Sequence, residues 1–187
     1  MTIDIRRRAE GIAFFVAFGL TIPAANWLIG HVGTVCVPNG PCLLPVAPGI
    51  MAPSGVAMVG VALVLRDLVQ RRLGFEFSII AVLIGGALSA ILAPASLVMA
   101  STAAFLLSEL ADLAVYTPLQ RRRLVAAVVL SGFAGLVVDS LVFLWFAFHS
   151  LEFLGGQIIG KAWMVLLSIP FIAFLRRRDE RLGMKPA

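Results

Sequence analysis

An all-α fold, a single bundle of six transmembrane helices with both termini in the cytoplasm, is what this sequence predicts. Three observations lead there. Of the 187 residues 60% are hydrophobic and only 13% charged, the apolar residues fall into runs of membrane-spanning length, and the basic residues gather between alternate runs. A soluble domain is roughly half apolar and a quarter charged, so water is not the main solvent of this chain.

Crossing the hydrocarbon core takes about 20 mostly apolar residues. Runs that fit lie at about 11–30, 54–70, 76–93, 95–117, 124–148 and 154–175. They leave little chain for a soluble domain, so residues 1–187 are expected to form one transmembrane domain with one long loop at 31–53. The first run follows Arg6, Arg7 and Arg8 and precedes no small-residue cleavage site, so it is expected to persist as an anchor.

The third and fourth runs require an argument, because residues 77–108 carry no charge and could form one helix. Such a helix would be about 48 Å long, against a core of about 30 Å. Two crossings with a tight turn at Leu92-Ala93-Pro94-Ala95-Ser96 fit better, since Pro94 disfavours helix at Ala93. Charge supports the same division. With the amino terminus inside and six crossings, fourteen of the fifteen basic residues fall in cytoplasmic segments, among them Arg66, Arg71, Arg72 and Arg121 to Arg123. The net charge of +5 is therefore a topology signal, which argues against a nucleic-acid partner and leaves membrane lipid as the surroundings.

The 31–53 loop holds Cys36, Cys42 and five prolines, and faces outside in this topology. The Cys-x5-Cys spacing fits either a small disulfide loop in an oxidising compartment or two free thiols. With His31 the two cysteines still make an incomplete zinc set, so no metal is expected. The loop is expected to act as a stiffened rim or lid.

Charge inside a bilayer is costly, so the few intramembrane polar residues are the candidates for function. Asp139 and Lys161 fall in the outer half of the membrane, with Asn26 and Gln157 at similar depth. Glu109 and Asp112 lie deeper, and their i, i+3 spacing puts them on one helix face. Asp139 and Lys161 can form an ion pair that orients two helices, a polar cavity for a solute, or both. Asn26 and Gln157 can equally serve interhelical hydrogen bonds. Phe143, one turn after Asp139, is the stacking candidate, whereas Trp27 and Trp163 suit interfacial anchoring. Asp67 beside Arg66 reads as gate or scaffold at the cytoplasmic end of the second span, and Glu76, Glu152, Asp179 and Glu180 read as ordinary interfacial charges. No nucleophile elbow, phosphate loop, zinc-protease helix or dinucleotide fingerprint is present, so neither an enzyme nor a cofactor is expected.

Several short pieces, in order, resemble the VUT or queuosine-precursor transporter family. They are Ala25-Asn26-Trp27-Leu28, Arg66-Asp67-Leu68 through Arg72-Leu73-Gly74, Glu109-Leu110-Ala111-Asp112, Gly135 to Ser140 with Phe143, and Lys161 leading to Leu167-Ser168-Ile169-Pro170. The resemblance spans nearly the whole chain and implies a six-helix inner-membrane importer of 7-cyano-7-deazaguanine or 7-aminomethyl-7-deazaguanine. The guanidine-like edge of such a base suits a carboxylate such as Asp139 or Glu109, with an amide or Lys161 at its carbonyl. The chain departs from the family pattern at Glu109, where an amide is common, and at Leu136 and Val138, where Asn and Ser are frequent. A carboxylate at position 109 would favour the cationic aminomethyl form or a related purine.

Two other functions are compatible with these residues. One is the substrate-binding subunit of an energy-coupling-factor importer, docking a partner through Ala13 and Ala17. The other is a membrane enzyme using Glu109 and Asp112 as acid and base. Self-association of the chain is left open by the sequence.

Overall fold

The computed structural model describes residues 3–36, 41–93 and 95–187. Its order is α1 (Ile3–His31), β1 (Val35–Cys36), β2 (Cys42–Ala47), β3 (Ile50–Pro53), α2 (Val56–Leu73), α3 (Phe75–Leu92), a 3₁₀ turn (Ala95–Leu97), α4 (Val98–Leu119), α5 (Leu124–Phe148) and α6 (Leu154–Leu182). The expected hairpin is there: α3 stops at Leu92, and Ala93 is extended at φ −68°, ψ 144°. That is the backbone a following proline favours, although Pro94 itself lies outside the described residues.

Five of the helices, all but α2, are long and apolar enough to cross a membrane. This makes the chain a multi-pass membrane protein. The outer surfaces agree, since Ile12, Val16 and Leu20 on α1, Leu83 and Ile91 on α3, Phe133 on α5, and Leu167 and Phe174 on α6 are all exposed. Arg66, Asp67, Asp112 and Lys161 are meanwhile buried. Apolar side chains outside and charges inside is the distribution a lipid solvent imposes.

Helix α2 is the exception because Arg66, Asp67, Arg71 and Arg72 fall within its 18 residues. It can hold them because none of its residues is exposed. The helix packs against α1, α3, α5 and α6, and more lightly against α4, so the others surround it. Gly60 permits the close approach to α6: a Cβ there would stand 2.6 Å from the carbonyl oxygen of Lys161.

The all-α expectation needs one correction. Part of the 31–53 loop is a three-stranded antiparallel sheet in the order β1-β2-β3, with Val35 opposite Leu43 and Leu44 opposite Ala52. Its prolines hid it in the sequence. Pro45 sits in the central strand beside a bulge between Pro45 and Ala47, one of the few places a strand accepts proline. Cys36 and Cys42 are joined in a disulfide that ties β1 to β2. The sheet rests on the helices: the Trp163 indole N–H donates to the Val46 carbonyl at 2.9 Å, and the Ser54 hydroxyl to the Leu28 carbonyl at 2.7 Å.

The opposite end of the bundle is closed by ion pairs. Glu10 on α1 meets Arg72 at 3.0 Å and Arg178 at 2.5 Å, and Asp179 on α6 meets Arg71 at 3.0 Å and Arg72 at 2.8 Å. Asp179 is therefore a buried clamp residue and not the ordinary interfacial charge expected. The expected last span stops near residue 175, but α6 continues to Leu182 and carries Asp179 back against α2.

Candidate functional site

Between the helices lies a cavity of about 180 Å³, lined from all six of them. Of the candidate residues it gathers Asn26, Glu109, Asp139, Phe143, Gln157 and Lys161. The side chains come from four helices: α1 gives Asn26, α4 gives Glu109, α5 gives Asp139 and Phe143, and α6 gives Gln157 and Lys161. Asp112 is not among the lining residues.

Asp139 and Lys161 meet because they sit at matching depths on consecutive antiparallel helices. Asp139 lies nine residues before the end of α5 at Phe148 and Lys161 seven after the start of α6 at Leu154. At about 1.5 Å per residue both stand a similar distance from the connecting turn. The Lys161 ammonium donates to Asp139 Oδ2 at 2.5 Å, Ser140 Oγ at 2.8 Å and Gln157 Oε1 at 2.6 Å. An ammonium has three donors, so all are used. Gln157 keeps its amide N–H groups, and Asp139 its second oxygen, without side-chain partners among the described residues.

Asn26 is half-buried, and its amide N–H donates to the Ile22 carbonyl one turn back at 3.0 Å, leaving its side-chain oxygen for the cavity. Phe143 lines the cavity and makes an edge contact with Phe148 at 6.0 Å between ring centres.

Below the cavity a buried layer is organised around Arg66. Its Nε donates to Glu109 at 3.2 Å and one terminal nitrogen to Gln70 at 3.0 Å; the other bonds Asp112 and lies 2.8 Å from Asp67. Asp67 also accepts from the Ser131 hydroxyl at 3.0 Å, and Arg66 lies 5.5 Å from the centre of the Tyr116 ring. Glu109 belongs to both regions, lining the cavity and pairing with Arg66. The scaffold reading of Arg66 and Asp67 thus acquires partners, and the pair lies inside the bundle and not at its interface.

Sequence reasoning missed Ser140, Ser131, Gln70 and Tyr116. Gln70 was recoverable, being i+4 from Arg66 on one helix face. The two serines had no such signal, because serine is common in membrane helices for packing alone.

The family model described as "Putative vitamin uptake transporter" matches residues 77–175. The chain belongs to the VUT family. In this VUT protein the matched stretch runs from α3 into α6, so it contains Glu109, Asp112, Asp139, Phe143, Gln157 and Lys161, whereas Asn26 and Arg66 precede it. VUT membership places the chain in a family of uptake transporters. Comparison with curated proteins and with solved structures gives no match.

Proposed function

We propose that this VUT protein imports a planar, nucleobase-like solute across a bacterial inner membrane, and that its cargo is a queuosine precursor, 7-aminomethyl-7-deazaguanine or 7-cyano-7-deazaguanine. In this reading α2 makes a sixth crossing shielded from lipid, residues 1–187 form one domain, and both termini stay in the cytoplasm. The observation that carries it is the cavity whose wall joins two carboxylates, two amides and two aromatic rings, Phe105 and Phe143.

Asp139 and Glu109 each have one oxygen engaged by a cation and one not, which suits paired N–H donors on a guanidine-like edge. Because the Lys161 donors are already taken, the free amide N–H of Gln157 is the better partner for the base carbonyl. Phe143 supplies a stacking face. A cavity of about 180 Å³ lies below the roughly 300–1,000 Å³ of drug-sized sites, which suits a solute of one or two rings.

Uptake of labelled 7-aminomethyl-7-deazaguanine by cells that cannot make it tests the proposal. Expression of the wild-type chain should give accumulation, and Gln157→Ala and Asp139→Ala should abolish most of it. Equal accumulation with and without the protein sinks the cargo assignment. Uptake that requires a co-purifying ATPase docked on the exposed Ala13 face of α1 would replace the solitary importer with an energy-coupling-factor subunit.

A further inference from the structure

The buried middle of the bundle carries more negative than positive charge. Asp67, Glu109, Asp112 and Asp139 are all buried there, and the cations among them are Arg66 and Lys161. Lys161 is committed to Asp139, which leaves Arg66 alone against Asp67, Glu109 and Asp112. One guanidinium compensates one carboxylate charge, so two would remain uncompensated if all three acids were ionised. A second observation concerns a single atom: Asp112 Oδ2 is buried with no hydrogen-bond partner, on a side chain that is fully enclosed.

Among the described residues no other cation pairs with these acids: Arg71 and Arg72, one turn further along α2, are engaged by Asp179 and Glu10. Facing them are Gln70 from α2, Tyr116 from α4, Ser131 and Asp139 from α5, and Lys161 from α6. Helices α1 and α3 contribute neutral Thr21, Asn26 and Ser89 to the adjoining cavity. Nor do the carboxylates converge as metal ligands: among the described residues no group of acids and histidines is arranged to hold a metal ion. An uncompensated carboxylate in a low-dielectric interior is resolved by taking up a proton.

We infer that the Asp67–Glu109–Asp112 layer around Arg66 is a proton-binding site and that its proton exchange drives import. Glu109 is the entry point, because it alone of the three lines the cavity while also touching Arg66. With the cavity open to the outside, a proton passes from water to the layer through Glu109 and the cargo binds above it. When the bundle opens inward, cargo and proton leave together, and the carboxylate resumes its place beside Arg66. The Glu10–Arg72–Asp179–Arg178 cluster, which ties α1, α2 and α6 together, is what must part for that step.

This inference rests on the importer reading for its transport assay and is independent of it in a spectroscopic one. The full chain is reconstituted in liposomes with the membrane potential clamped, and labelled 7-aminomethyl-7-deazaguanine is supplied outside. For one proton per solute, steady accumulation should rise about tenfold per unit of inside-alkaline pH gradient and collapse with a protonophore. Asp112→Asn, in the layer but off the cavity wall, should abolish that response while retaining solute exchange between the two sides. Accumulation indifferent to the gradient and the protonophore overturns proton coupling and leaves the importer standing; no entry under any condition overturns the importer reading. Infrared spectra of the purified wild-type protein at neutral pH decide the site without any cargo. A protonated carboxylic acid band that shifts in deuterated water and weakens in Glu109→Gln or Asp112→Asn is expected, and its absence in the wild type overturns the proton-binding site.

Discussion

Lys161 lies 2.5 Å from Asp139, and this contact joins α6 to α5 at the wall of the cavity. The pair is both a structural fastening and a surface offered to the cavity, so its two roles should separate under mutation. Removing one member of a buried pair strands the other, at a cost of about 3–5 kcal/mol. Lys161→Met or Asp139→Leu alone should therefore lower thermal stability in detergent strongly, while the double variant should recover much of the loss. Cargo uptake should stay absent in the double variant. Equal stability of single and double variants would show that the pair does not hold the helices.

Arg66 should tolerate no replacement, lysine included. Its guanidinium reaches Glu109, Gln70, Asp67 and Asp112 at once, and an ammonium lacks that fork. Arg66→Lys should destabilise by about 2–3 kcal/mol and Arg66→Gln by more. Adding Asp112→Asn to Arg66→Gln should restore part of the stability, because it removes a charge that the arginine had compensated. Melting of the purified variants measures both effects.

At Gly60 a side chain would push α2 and α6 apart where Lys161 is positioned. A Cβ would stand 2.6 Å from the Lys161 carbonyl oxygen and 2.7 Å from Met164 Cβ. Gly60→Val should cost about 1–3 kcal/mol and most of the uptake. Gly155→Ala, where a Cβ meets open space, serves as the control and should leave both unchanged.

Reduction of the Cys36–Cys42 disulfide should loosen the three-stranded sheet and leave the helices in place. A closed loop this short contributes about 2 kcal/mol in the chain-entropy account. Limited proteolysis of Cys36→Ser/Cys42→Ser protein should cut within residues 31–53, with the helical circular dichroism retained.

The six crossings proposed above would place the β2–β3 turn and the α4–α5 turn on opposite sides of the membrane. In a cysteine-free background, an impermeant thiol reagent applied to intact cells should label Ile50→Cys and spare Arg122→Cys. Labelling of both, or of Arg122→Cys alone, would remove the topology on which the import direction depends.

Several features were legible along the chain because they are written as linear patterns. The boundaries of α5 match the expected 124–148 span, since both ends carry abrupt charge or polar signals, Arg123 and His149. The depth match of Asp139 and Lys161 followed from counting residues to the connecting turn. The β-sheet did not show, because Pro45 and its neighbours resemble a loop until a bulge accommodates them. The last turns of α6 were hidden because a run of arginines reads as a helix end, although Arg176 and Glu180 pair at i, i+4 and help to continue the helix.

Hydropathy and charge vary along one dimension, so the sequence by itself determined that the chain lives in lipid, about where it crosses, and which polar residues are held at depth. Only the tertiary structure decided what those residues face. Glu109 and Asp112 are three residues apart, about 60° around and about 4.5 Å along a helix axis, and that offset puts Glu109 on the cavity wall as well as in the layer beneath it, but Asp112 in the layer alone. The rotation of α4 that makes the division, and the enclosure of α2 that lets Arg66 serve three carboxylates, arise from how the six helices pack against one another, which no linear pattern contains.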